Sequence, residues 1–215
     1  NKRAVSELTL AFMIMGLRDI CKTTNEVKKS NWPFFAGEQL TNKKIGIIGC
    51  GNIGKDLIKL LKPFDCKINT HDIKPNYSYL KRNKLTNSSI NFVLKNSDII
   101  SIHIPYNIQN HNIISNKKIS LLKKDSLLIN TSRGPIVNED DLIIALSTNV
   151  ILGAGIDVYE KEPLPETNKL RFLPNALLTP HIGYVTAENY SIFYTQMIED
   201  LEACVNGKPV RLIEK

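Results

Sequence analysis

Three residues in the second half of the chain are of the types that one reaction needs together. Arg133 stands in LLINTSRGP, after an apolar run and a short polar stretch, and a Gly-Pro pair stops the segment. Glu162 stands in GIDVYEKEPLP and His181 in LLTPHIG, each just past another apolar run. A guanidinium mounted on a strand end can grip a planar carboxylate through two parallel hydrogen bonds, and a lysine would orient it less well. Histidine changes charge near neutral pH and can therefore shuttle a proton. A carboxylate beside it favours the imidazolium form. A fixed cation, a proton shuttle and an anion to tune it are what interconversion of a 2-hydroxy acid and a 2-oxo acid requires. Taken singly, each has a plainer reading: Arg133 as a surface residue, Glu162 as a loop acid, His181 as a capping histidine.

The redox partner is suggested by IGIIGCGNIGK, which supplies Gly49-x-Gly51-x-x-Gly54. The motif ends a β-branched strand and opens a helix, the context in which such glycines let backbone approach a pyrophosphate at a helix N-terminus. Asp72 follows at the end of the next strand, where an acid accepts the ribose hydroxyls of NAD and repels the 2′-phosphate of NADP. Asp72 can also be read as a cap on the turn before Pro75, and Lys74 keeps some tolerance of NADP open.

These residues need a scaffold, and the pattern around them describes one. Short apolar runs at Lys43–Gly49, Lys67–His71, Asp98–His103, Ser126–Asn130, Ile151–Val158 and Ala176–Thr179 read as strands. Helical segments lie between several of them, including Ile53–Leu61 and Asn138–Leu146, with Asn138 placed as the cap and acids in the first turn. Strands alternating with helices predict α/β architecture, a doubly wound parallel sheet covered on both faces. Ala4–Cys21 has helical spacing over a wide apolar arc, as expected of a helix packed on more than one side. A last helix runs from about Thr186 to Val205, closed by Gly207 and Pro209.

Composition narrows the alternatives. The net charge is +7, but the lysines fall in scattered pairs with no basic stripe, so no nucleic-acid partner is expected. Four cysteines show no CxxC and no histidine at metal spacing, which suits free thiols in a reducing cytoplasm and no metal. The ten apolar residues LTLAFMIMGL are too few to span a bilayer and contain no cleavage site, so no membrane role is expected.

AVSELTLAFMIMGLRDI, GIIGCGNIGK, SDIISIHIP, LLINTSRGPIV, GAGIDVYEKEPLP and LLTPHIGYVT, in this order, resemble the NAD-binding domain of the D-isomer-specific 2-hydroxyacid dehydrogenases. That family includes phosphoglycerate dehydrogenase, glyoxylate reductase and D-lactate dehydrogenase. The resemblance implies a Rossmann NAD-binding domain over 1–184, with 1–22 as an interdomain and dimer helix. It implies that 185–215 return to a substrate domain whose N-terminal part is absent, because family members carry a further segment ahead of the first helix. Whether this chain is a piece of a longer protein or a naturally short form is left open.

The resemblance further implies that Arg133 binds the substrate carboxylate and 2-oxygen, that His181 is the acid/base and that Glu162 is its partner. NAD contacts are implied for Gly49, Gly51, Asn52, Ile53, Gly54, Asp72, His103, Pro105, Thr131, Asp157 and Gly183. Thr131 would line the nicotinamide side and Asp157 would meet its carboxamide, while His103 and Pro105 correspond to a loop over the cofactor. The expected activity is NAD-dependent hydride transfer to or from a small D-2-hydroxy or 2-oxo acid by a homodimer. An NAD(H)-binding regulatory protein without turnover is the alternative.

Overall fold

The computed structural model describes residues 2–212. Six short strands form one sheet: β1 (Lys44–Ile48), β2 (Lys67–His71), β3 (Ile99–Ile102), β4 (Leu127–Asn130), β5 (Gly153–Ile156) and β6 (Ala176–Leu178). Their spatial order is β2-β1-β3-β4-β5-β6 and every pairing is parallel. The chain therefore starts in the interior of the sheet, winds outward to β2, then returns past β1 to build β3 through β6. The reversal between β1 and β3 leaves a crevice at the carboxyl ends of those strands, where ligands bind in sheets of this kind.

The α-helices are α1 (Lys2–Arg18), α2 (Ile20–Lys28), α3 (Asn52–Leu61), α4 (Tyr77–Arg82), α5 (Ile90–Asn96), α6 (Asn116–Ile119), α7 (Glu139–Ser147) and α8 (Ala187–Val205), with short 3-10 turns at Lys62–Phe64, Ile108–Asn110, Gly134–Ile136 and Lys169–Phe172. Alternation along each strand sorts the core into two layers. Ile45, Ile47, Ile99, Leu127 and Ile129 pack with Phe12 and Met13 of α1 and Leu57 and Leu61 of α3. Ile48, Ile100, Ile102, Leu128 and Ile156 pack on the opposite face with α5, α6 and α7, through residues such as Val93, Ile119 and Leu142. The expected doubly wound sheet is what forms.

β2 keeps the expected Lys67–His71, while the other five strands are shorter than the apolar runs that announced them; Ile151–Val158, for example, contracts to Gly153–Ile156. The first helix departs from expectation. Ala4–Cys21 is not one helix, because Asp19 adopts a left-handed conformation (φ 48°) and α2 starts afresh at Ile20. The Leu17 carbonyl, which a continuous helix would pair within itself, instead accepts from Glu38 N at 2.9 Å as the following loop returns. Asn138 caps α7 as its side chain accepts from Asp141 N.

The chain divides into two compact units, one of residues 2–183 and a second that begins at Tyr184. In the second, Thr186 caps α8 by accepting from Asn189 N, and Asn189 Nδ2 donates to Tyr184 O at 2.7 Å. Arg211 pairs with Glu199 and Asp200 of the same helix.

Candidate active site

The glycine loop leaves β1 through Gly49, whose φ of 100° favours glycine. A Cβ at Gly54 would lie 2.2 Å from Gly49 O, so α3 can approach the strand this closely only without a side chain there. At Gly51 the same construction meets nothing within 4 Å, which leaves open space against the loop. No side chain caps α3, so the amides of its first turn, at Asn52 and Ile53, stay available to an anion. An open cradle over uncapped helical N–H groups fits a dinucleotide pyrophosphate.

Asp72, one residue past β2, accepts from Cys50 N through Oδ2 and from Lys74 N through Oδ1, both at 2.8 Å. The acid thus caps its turn and also ties the glycine loop to the end of β2. Each oxygen keeps a lone pair for a ribose hydroxyl.

Beyond β4, Asn130 stitches the turn that carries Arg133. Its Oδ1 accepts from Ser132 N and its Nδ2 donates to Arg133 O. Ser132 Oγ anchors the same turn to Ile102 O on β3. Arg133 is exposed, and its Nη1 donates to Ser132 O at 2.6 Å. A Cβ at Gly134 would fall 1.9 Å from the carbonyl carbon of Tyr159, so this turn and the loop after β5 meet backbone to backbone.

That loop holds Glu162, whose Oε1 accepts from Tyr159 N at 2.9 Å and whose Oε2 accepts from His181 Nδ1 at 2.6 Å. Partial burial opposes ionisation of Glu162, but the His181 and Tyr159 hydrogen bonds and the charges of His181 and Arg133 outweigh it. The carboxyl is held below its ordinary range. Because a carboxylate only accepts, Nδ1 of His181 carries the proton in this pair. Glu162 and His181 thus pair although separate strands deliver them, and the Arg133 charge also favours the Glu162 carboxylate.

His181 itself has φ 56°, a conformation that costs a non-glycine residue about 1–3 kcal/mol unless its surroundings impose it. Asp157, buried at the end of β5, does so. Its Oδ1 accepts from Thr179 Oγ1 and Ile182 N, and its Oδ2 from Gly183 N at 2.8 Å. Asp157 and Gly183 accordingly clamp the turn that presents His181.

The remaining expected residues are placed as follows. Thr131 is buried and pairs with Thr9 of α1 at 3.2 Å; since Thr9 donates to Val5 O, Thr131 is the donor between them. His103 is also buried, with Nε2 2.8 Å from Ser101 Oγ and Nδ1 without a partner, and burial pushes its pKa down to about 4. Its carbonyl oxygen abuts Gly49, where a Cβ would come within 2.6 Å. Pro105 lies in the exposed loop that follows, its carbonyl accepting from Asn110 Nδ2. Asn130, Gly134 and Tyr159 were missed by sequence reasoning. Their only signal was adjacency to Arg133 and Glu162: the Asn130 amide binds backbone groups of the turn, and Gly134 and Tyr159 act through their own backbone, none of which a sequence displays.

The family model for D-isomer specific 2-hydroxyacid dehydrogenase, NAD binding domain, matches residues 10–183. Glyoxylate reductase of Thermofilum pendens is 33% identical over 222 residues, covering 99% of this chain and 65% of the relative. D-3-phosphoglycerate dehydrogenase of Methanocaldococcus jannaschii is 32% identical, with 95% and 40% covered. The crystal structure of D-lactate dehydrogenase with NAD+ from Lactobacillus jensenii superposes with a TM-score of 0.88 at 26% identity, over 100% of this chain and 69% of that one. The chain thus spans less than two thirds of the length of these two sequence relatives. With its glycine cradle, parallel sheet and strand-end triad, it belongs to the D-isomer specific 2-hydroxyacid dehydrogenase family, within that family's NAD binding domain.

Proposed function

We propose that the protein interconverts a small D-2-hydroxy acid and its 2-oxo partner, using NAD. The observation that carries this reading is the 2.6 Å His181–Glu162 pair, with the Arg133 charge acting on Glu162, at the same sheet edge as the glycine cradle. The names of the relatives, a glyoxylate reductase and a D-3-phosphoglycerate dehydrogenase, support the same class of reaction.

Gly49, Gly51, Asn52, Ile53 and Gly54 would hold the pyrophosphate and Asp72 the adenosine ribose, with Thr131, His103, Pro105, Asp157 and Gly183 framing the nicotinamide end. When bound, the dinucleotide supplies or accepts the hydride at C2 of the acid. Arg133 holds the substrate carboxylate, and its fork leaves N–H groups beyond the one given to Ser132 O. With Nδ1 committed to Glu162, His181 works through Nε2. It gives a proton to the 2-oxygen during reduction and takes it back during oxidation. Glu162, kept ionised, stabilises the protonated ring.

Residues 1–184 would then form the cofactor domain, with 1–22 linking domains, and 185–215 would belong to a substrate domain. Residue 1 and residues 213–215 lie outside the described structure. A homodimer is supported by the irregular segment after α2, where Trp32 is 90% and Phe34 99% exposed. Four free cysteines suit a cytoplasmic setting, and among the described residues no helix is long and apolar enough to cross a membrane.

The test is NADH oxidation by the complete gene product against glyoxylate, pyruvate, hydroxypyruvate and phosphohydroxypyruvate. Turnover of one acid supports the dehydrogenase and identifies its substrate. NADH binding without turnover of any 2-oxo acid would favour the regulatory alternative.

A further inference from the structure

Asp72 lies beyond the last ladder pairing of its strand. The β1–β2 register ends at Ile48 with His71, and Gly49 N donates to His71 O. On the outer edge of β2, the segment Thr86–Ser88 takes over. Ser88 N donates to Thr70 O at 2.8 Å, Thr70 Oγ1 donates to Thr86 O at 2.7 Å, and Thr70 and Asn87 form an isolated parallel bridge. One step further the side chain of Asn87 does what a strand backbone would do. Its Oδ1 accepts from Asp72 N at 2.8 Å and its Nδ2 donates to Asp72 O at 3.0 Å.

Both polar groups of the Asp72 backbone are thereby fixed by one amide. Its carboxylate is fixed separately by Cys50 N and Lys74 N. An acid that discriminates a ribose hydroxyl from a 2′-phosphate must hold its charge where that phosphate would sit, because the repulsion falls away with distance. We propose that Asn87 is a positioning residue for cofactor selectivity, holding Asp72 where it favours NAD over NADP. This rests on the dinucleotide reading of the glycine cradle.

The test is titration of NADH and NADPH by the complete protein, as wild type, Asn87→Ala and Asn87→Asp, with thermal midpoints measured in parallel. Losing two hydrogen bonds to the Asp72 backbone should weaken NADH binding about tenfold in Asn87→Ala. NADPH binding should change far less, so the NADH/NADPH preference contracts. Asn87→Asp keeps an acceptor for Asp72 N but has no donor for Asp72 O, and its NADH affinity should fall between the other two. It also provides the reading if the alanine variant fails to fold. A folded variant that loses stability but keeps the wild-type preference would overturn the proposal, because general loosening lowers both affinities together. Wild-type protein that binds neither nucleotide would instead overturn the dinucleotide reading on which it rests.

Discussion

Gly134 and Tyr159 touch through their backbones: a Cβ on Gly134 would stand 1.9 Å from the Tyr159 carbonyl carbon and 2.4 Å from Glu160 N. The turn bearing Arg133 and the loop bearing Glu162 can be this close only because one residue between them has no side chain. This contact sets the spacing between the turn that carries Arg133 and the loop that carries Glu162.

Gly134→Ala must push those two loops apart, as backbone on the far side cannot yield like a flexible side chain. We expect a loss of stability of about 1–3 kcal/mol, typical of overpacking, and a larger loss of activity. Misplacement of reacting groups by about 1 Å can cost on the order of 100-fold in rate. Steady-state kinetics beside thermal denaturation would check this, and wild-type kcat/KM in the variant would remove the contact from the mechanism.

On the proposed mechanism, His181→Ala deletes the proton shuttle while leaving the glycine cradle intact. Turnover should fall by about 100- to 10,000-fold with NADH affinity within a factor of about two. Stopped-flow reduction of the preferred 2-oxo acid, paired with NADH fluorescence titration, separates the two quantities. A variant that still turns over at the wild-type rate would show that another group supplies the proton.

His103 makes acid stability a specific expectation. Burial lowers its pKa from the ordinary 6.5 to about 4, so the folded chain keeps it neutral where the unfolded chain takes up a proton. Stability from this group is complete above about pH 6.5, is lost as pH falls toward 4, and amounts to at most about 3 kcal/mol. His103→Gln should flatten the dependence of thermal midpoint on pH in that window. Equal slopes for variant and wild type would mean that other groups govern acid unfolding.

Trp32 and Phe34 place two aromatic rings in solvent on a segment without regular structure, an arrangement that suits insertion into a second copy. Sedimentation of the complete protein should show a dimer, and the double substitution Trp32→Ser with Phe34→Ser should yield monomer. If both sediment alike, the segment has some other use.

The fold class was legible in the sequence because its signals are local. A β-branched run ending in Gly49-x-Gly51-x-x-Gly54 reports strand, turn and helix within a dozen residues, and the alternating runs that follow report a parallel sheet. Arg133, Glu162 and His181 each follow a strand-like run in the sequence, and the structure pairs His181 with Glu162.

Other features depend on residues far apart in the chain, and only tertiary structure could decide them. At the break around Asp19 the Leu17 carbonyl pairs with Glu38 N, and nothing inside Ala4–Cys21 encodes that rival donor. That Asp157 clamps the left-handed turn at His181, through partners 22 to 26 residues away, is likewise a tertiary feature. Asn87, fifteen residues past Asp72, reads in sequence as an ordinary loop asparagine. Residue types and strand ends specify which chemistry is available; the backbone hydrogen bonds and close contacts that aim those residues exist only once the sheet has brought its loops together.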